Sequence, residues 1–224
     1  MNATRLKVIG IVSMTIDHIG YFLFPQMTVL RIIGRLAYPI FAYMIAEGCR
    51  YTRNKVRYLC TVLAIAGVCS AVTYFAERSR YQSIFTTFSC AMILIFALTA
   101  EKEAAERAEK IFWSVCTMML VFLYFAVFQL RLIPSFETDY GFLGIITPVL
   151  VWLGRSKAEK LAGLTIGLCL LSVELGTVQF FSLAAVILLY FYNGERGNHS
   201  LKWVFYAYYP LHIAVLYGIS QIVG

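Results

Sequence analysis

Apolar and polar positions alternate along the chain in long blocks. Apolar runs of helix length cover residues 6–24, 28–47, 58–76, 84–100, 111–130, 140–154, 161–176, 178–192 and 202–222, each bounded by charged or turn-forming residues. Crossing the hydrocarbon layer of a bilayer takes about 20 apolar residues in a helix. The pattern therefore predicts an all-α, polytopic membrane helix bundle of about nine transmembrane helices (range 8–10), in a single domain over residues 1–224. The sixth to eighth runs are the shortest. Pro39, Pro148 and Pro210 fall inside runs, which a bundle tolerates because neighbouring helices can satisfy the freed carbonyls. The first run, Val8 to Phe24, holds Asp17 and His18 and lacks a small-residue cleavage site. It is expected to stay as a helix rather than leave as a signal peptide. The pair Gly163-xxx-Gly167 allows a close helix contact.

Composition narrows the class. The chain is 60% apolar and 14% charged, against roughly 45–50% and 25% in soluble domains. That excess of apolar material excludes a soluble globule, a disordered chain and a nucleic-acid partner. The net charge of +7 is explained by loop placement. With a cytoplasmic N-terminus, fourteen of the 19 Lys and Arg residues fall in inside segments and three, Arg78, Arg80 and Arg131, fall outside. This bias predicts a bacterial inner-membrane protein with its N-terminus cytoplasmic and its C-terminus outside. The six cysteines have no CxxC spacing and are expected to be free thiols packed between helices.

Chemistry is sought among the ionisable residues inside apolar helices, because a charge at mid-helix costs about 2.5–3.5 kcal/mol on the insertion scale. The first run carries Asp17 and His18, the second carries Arg31 and Arg35, and the last carries His212 after Tyr208-Tyr209-Pro210. At a rise of 1.5 Å per residue, His18 lies about 16 Å beyond Lys7, His212 about 15 Å beyond Lys202, and Arg35 about 20 Å from Gly48. Three helices thus bring polar groups to one level, which points to a polar cavity. Successive helical residues point about 100° apart, so Asp17 is free to pair with Arg31 or Arg35 instead of His18. A histidine is the natural general base near neutral pH, and two arginines suit an anion or a polarised carbonyl. Two histidines and one aspartate without HxxxH or HExxH spacing give no metal expectation.

The same residues carry a family resemblance. Leu6-Lys7 with Met14-Thr15-Ile16-Asp17-His18-Ile19-Gly20 resembles the opening of the TraX family, whose namesake N-acetylates the F-pilin subunit. Leu30-Arg31-Ile32-Ile33-Gly34-Arg35-Leu36-Ala37-Tyr38-Pro39-Ile40-Phe41 is similar to that family's RxxGRLAFPIF block. So are Glu47-Gly48, Tyr51-Thr52-Arg53-Asn54, Asp139-Tyr140-Gly141 with Gly144, Gly194-Glu195-Arg196-Gly197 and Phe205 through His212, and together they span essentially the whole chain. Lys7 and His18 also resemble the R/K-x10-H pair of the acyltransferase-3 family, in which the first residue is usually Arg.

The resemblance implies an acetyl-CoA-dependent membrane acyltransferase acting on an amine or hydroxyl of a pilin-like peptide or a glycan. The partners expected are an acyl-CoA donor, that acceptor and membrane lipid. His18 is expected to act as base, assisted by Asp17 where geometry allows. Arg35, with Arg31, would stabilise the thioester carbonyl, and His212 would serve as alternative base or acceptor guide. Lys7, Arg31, Arg35, Arg50, Arg53, Lys55, Arg57, Arg196 and Lys202 are the candidates for the donor, and Asp139, Tyr140 and Tyr209 for the acceptor. The alternatives are a small-molecule transporter or channel, for which intramembrane charge is also diagnostic, and a non-catalytic membrane assembly protein.

Overall fold

The computed structural model describes residues 1–77, 81–133, 136–195, 197 and 202–223. Arg78, Arg80 and Arg196 lie outside the described residues, as does the side chain of Lys202. The regular elements are helical: α1 (Ala3–Phe22), α2 (Thr28–Gly34), α3 (Ala37–Tyr51), α4 (Lys55–Glu77), α5 (Ile84–Glu103), α6 (Arg107–Tyr124), α7 (Gly141–Leu153), α8 (Lys157–Leu175), α9 (Ala184–Tyr190) and α10 (Lys202–Val223). A π-helical turn, Phe125–Gln129, extends α6, and a 3₁₀ segment, Thr177–Leu183, leads into α9. Among the described residues, four helical stretches are long and apolar enough to cross a membrane: Thr28–Tyr51, Lys55–Phe75, Ile84–Glu103 and Arg107–Gln129. Gly141–Leu153 and Thr177–Tyr190 are apolar but shorter.

Local chemistry sets these limits. The Asn2 side chain accepts from the Arg5 amide to start α1, and Ser156 and Glu159 form a reciprocal capping box at α8. The second apolar run is broken rather than continuous, since α2 ends at Gly34 and α3 begins at Ala37. Pro39 explains the position of the break. It sits in the first turn of α3, where a missing N–H removes no helical bond. Gly176, at φ +93°, ends α8 in a conformation that costs glycine little.

The core is formed by α3, α5, α7 and α8, with Tyr43, Ile40, Met92, Ile95, Ile145, Leu164 and Leu168 fully buried. The Gly163-xxx-Gly167 pair seats α8 on α7. A Cβ on Gly163 would lie 2.5 Å from the Leu150 carbonyl oxygen, and one on Gly167 would lie 2.5 Å from Thr147 Oγ1. Helices α4 and α6 instead turn large side chains outward, among them Phe75, Met118, Met119 and Phe122, as expected of surfaces facing lipid tails.

Contacts sort the connections into two ends. At one end the Met1 ammonium donates to the Phe191 carbonyl at 2.6 Å, and Arg50 Nη2 donates to the carbonyls of Trp152 and Gly154. There too Lys55 pairs with Glu103 at 3.0 Å and Lys157 donates to the carbonyls of Tyr190 and Tyr192. At the other end Gln82 bridges Thr138, Tyr81 donates to Asp139 at 2.8 Å and Gln129 donates to Glu174 at 3.2 Å.

Candidate functional site

Three helices and the 3₁₀ segment build a polar cluster among apolar neighbours. Asp17 is near the end of α1, and its two oxygens take separate guanidinium groups: Arg31 Nη1 reaches Oδ2 at 2.6 Å and Arg35 Nη2 reaches Oδ1 at 2.6 Å. Each carboxylate oxygen thus takes one guanidinium, while His18 Nδ1 pairs with His212. Gly34 makes this approach possible, because a Cβ there would lie 2.1 Å from Asp17 Oδ1. The glycine between the two arginines is therefore a packing requirement of the ion cluster.

The two arginines are held differently. Arg35 donates through Nε to the Arg31 carbonyl at 3.2 Å and through Nη1 to Gln179 Oε1 at 3.3 Å, in addition to its bond to Asp17. Arg31 lies over the Tyr21 ring, 5.4 Å from its centroid. Its side chain is 30% exposed against 14% for Arg35, so Arg31 is the guanidinium with reach to spare. Gln179 is buried and its Nε2 has no partner among the described residues. Nearby in the same segment, Ser182 Oγ is also buried and unpartnered. Leaving such a donor unpaired costs about 1–3 kcal/mol. The sequence signal for Gln179 was an amide inside an apolar run, weaker than a charge because it carries no comparable insertion penalty.

His18 pairs with a second histidine. Its Nδ1 lies 3.0 Å from His212 Nε2, and His212 Nδ1 lies 2.9 Å from the Tyr208 carbonyl oxygen. A carbonyl can only accept, so His212 Nδ1 carries the hydrogen and its Nε2 is the acceptor. Nδ1 of His18 must then donate, leaving the lone pair on His18 Nε2. Tyr208 stacks on His212, 5.0 Å between centroids, and its hydroxyl meets Thr15 Oγ1 at 2.7 Å. Thr15 itself donates to the Ile11 carbonyl, so Tyr208 is the donor of that pair and ties α10 to α1. Tyr209 is buried and stands edge-on to both histidines, 6.2 Å from His18 and 5.4 Å from His212.

The remaining sequence candidates are spread over both ends. Tyr140, at φ +63°, precedes α7 and stacks on Tyr38 with centroids 4.1 Å apart. Burial pushes the Asp139 carboxyl up to about 6, partly offset by the Tyr81 hydroxyl, with Asp17 and Arg35 in its electrostatic surroundings. Arg50 is committed to the end of α7 and Lys55 to Glu103, whereas Arg53 and Arg57 are exposed. Lys7 sits on α1, about half the helix away from Asp17 and the ion cluster. A second buried ion pair, Lys160 with Glu47 at 2.7 Å, joins α8 to α3.

Comparison with known proteins matches nearly the whole chain. The family model described as TraX protein covers residues 2–220. A probable fimbrial assembly protein, FimC of serogroup H1, from Dichelobacter nodosus is 26% identical, over 96% of this chain and 94% of its own. An uncharacterised protein of Rickettsia prowazekii is 53% identical over 52 residues, 23% of this chain and 21% of its own. No solved structure matches.

Proposed function

The chain belongs to the TraX family, and from that premise we propose that it is an integral-membrane acyltransferase moving an acetyl group from acetyl-CoA to an amine or hydroxyl. The relative named for fimbrial assembly favours a pilin-like peptide as acceptor over a glycan. The observation that supports chemistry over mere packing is the juxtaposition at the end of α1. A histidine there has an uncommitted Nε2, beside a clamped pair of guanidinium groups with donor capacity left over.

The step follows from that geometry. His18 Nε2 takes the acceptor proton as the acceptor nitrogen or oxygen attacks the thioester carbonyl carbon. The new C–N or C–O bond forms, the C–S bond breaks, and the thiolate recovers the proton as free CoA thiol. During the step His18 is protonated on both nitrogens, and its Nδ1–H bond to His212 spreads the charge. Arg31, braced by Asp17, faces the charge that develops on the carbonyl oxygen, while Arg35 fixes the brace to Gln179. Asp139, Tyr140 and the Tyr81 hydroxyl belong to the acceptor side.

In this reading the chain crosses the bacterial inner membrane about nine times, N-terminus cytoplasmic and C-terminus outside. His18 is four residues from the end of α1, about 6 Å, so the reaction takes place in the outer half of the bilayer. The donor comes from the cytoplasm and the acceptor from the other side. The test is transfer of labelled acetyl from acetyl-CoA to a pilin N-terminal peptide by the purified protein. Labelled peptide with wild type and none with His18→Ala is expected; equal labelling by a well-folded His18→Ala would remove His18 from the mechanism.

A further inference from the structure

The turn ahead of α7 holds a carboxylate unlike the others near the site. Asp139 is half-buried, and among the described residues no cation lies within ion-pair distance of it. Asp17, by contrast, takes two guanidinium groups, Glu47 takes Lys160, and Glu137 turns to Arg131 at 3.4 Å. Asp139 Oδ1 accepts from the Tyr81 hydroxyl at 2.8 Å, and the Ile84 amide also donates to the carboxyl. A carboxylate has about four lone-pair sites, so these two bonds leave room for a cation. The backbone here is fixed from both sides. Asp139 N donates to the Gln82 carbonyl at 3.3 Å, and Thr87 Oγ1 donates to the Asp139 carbonyl at 2.7 Å. Asp17, Arg35, Tyr140, Cys69 of α4 and Tyr209 of α10 make up the electrostatic surroundings of the carboxyl. Tyr209 is also the ring that stands edge-on to both histidines, so it is a shared neighbour of Asp139 and of the base.

Proton counting for an amine acceptor leaves one task without a residue. Near neutral pH an α-amine, with a pKa of about 7.7–8.0, is mostly an ammonium, which has no lone pair for attack. It must lose one proton before the C–N bond forms and a second as that bond forms. His18 Nε2 takes the second, which passes to the departing thiolate. We propose that Asp139 receives the acceptor as its ammonium, takes the first proton and releases it to water beside the exposed Tyr81. One ammonium and one thioester then give one amide, one thiol and one free proton. Burial pushes the Asp139 carboxyl up to about 6, which still leaves it ionised at pH 7 and able to hold a cation. A hydroxyl acceptor sheds a single proton and has no use for this step. The inference rests on the acyltransferase reading and adds to it a second base with a defined part in the reaction.

The test is the pH profile of kcat/KM for a short peptide with a free α-amine, using the full chain in detergent, wild type against Asp139→Asn. Wild type should rise through about 6 and level off before the neutral amine predominates. Asp139→Asn must draw on the neutral amine, so its profile should rise through about 8, the pKa of the acceptor itself. The deficit of the variant should therefore be about 15–20 times larger at pH 6.5 than at pH 9, following the fraction of neutral amine. A merely structural role for Asp139 would give the same deficit at both pH values, and that result overturns the proposal. A wild-type profile that follows the pKa of the amine overturns it equally, and this measurement decides alone should Asp139→Asn not fold. If wild type acetylates no peptide at any pH, the acyltransferase reading itself fails, and the proposal fails with it.

Discussion

Asp17 and His18 are neighbours in sequence with separate roles in space, because the helix turns about 100° between them. Asp17 braces two arginines and His18 meets His212. Asp17→Asn leaves two guanidinium groups facing a neutral amide. It should cost on the order of 3 kcal/mol, as breaking a buried pair does, read as a lowered melting temperature in detergent. Gln179→Leu keeps the volume but removes the acceptor that fixes Arg35. A mispositioned clamp can cost about 100-fold in rate, so kcat should fall by that order with the melting temperature little changed. Asp139 offers a pH signature. With its pKa raised to about 6 by burial, the folded protein holds this proton more tightly than the unfolded chain. Its contribution to stability is present below the ordinary carboxylate range and is lost as pH rises through about 6. Wild type should therefore lose melting temperature relative to Asp139→Asn between pH 4 and 7. The residues legible in the sequence were those whose charge is expensive in an apolar helix; Gln179, a neutral amide, gave no such signal.

At the scale of elements, hydropathy located the helices but not their interruptions. The second apolar run reads as continuous, yet the chain breaks after Gly34 because Pro39 suits the first turn of a new helix. The break also places Arg31 and Arg35 on the short helix that packs against α1. Gly34→Ala tests that packing. Its Cβ would intrude on Asp17, so α2 must shift, at a cost of about 1–3 kcal/mol and with the loss of the guanidinium brace. Both a lower melting temperature and lost acetyl transfer are expected. The small-residue pair on α8 was legible as a close contact, but its partner, α7 in the same chain, could be assigned only from the fold. The Arg50 and Lys55 side chains illustrate the opposite limit. As loop cations they read as ligands for phosphate, whereas the fold uses them to finish a helix end and pair a carboxylate.

At the scale of the molecule, the contacts between connections fall into two sets. The Met1 ammonium, Arg50, Lys55 and Lys157 meet partners at one end, while Tyr81, Gln82, Asp139 and Glu174 gather at the other. The proposed topology, with α1 starting in the cytoplasm, predicts that reporter fusions at Met1 and in the Asn193 turn both report cytoplasm and that one after Val223 reports the opposite side. A cytoplasmic reporter after Val223 would refute the odd number of crossings. The fold class was legible because insertion into lipid is written in composition; the pairing of His18 with His212 was not, since it depends on α10 returning against α1. The most direct test of the central claim needs no acceptor. Purified protein is mixed with acetyl-CoA and free thiol is followed, wild type against His18→Ala. The account predicts slow CoA release by wild type and release lowered by a factor of about 10²–10⁴ in the variant, the usual contribution of a positioned base. Equal release by a folded His18→Ala, or none from wild type, would contradict it.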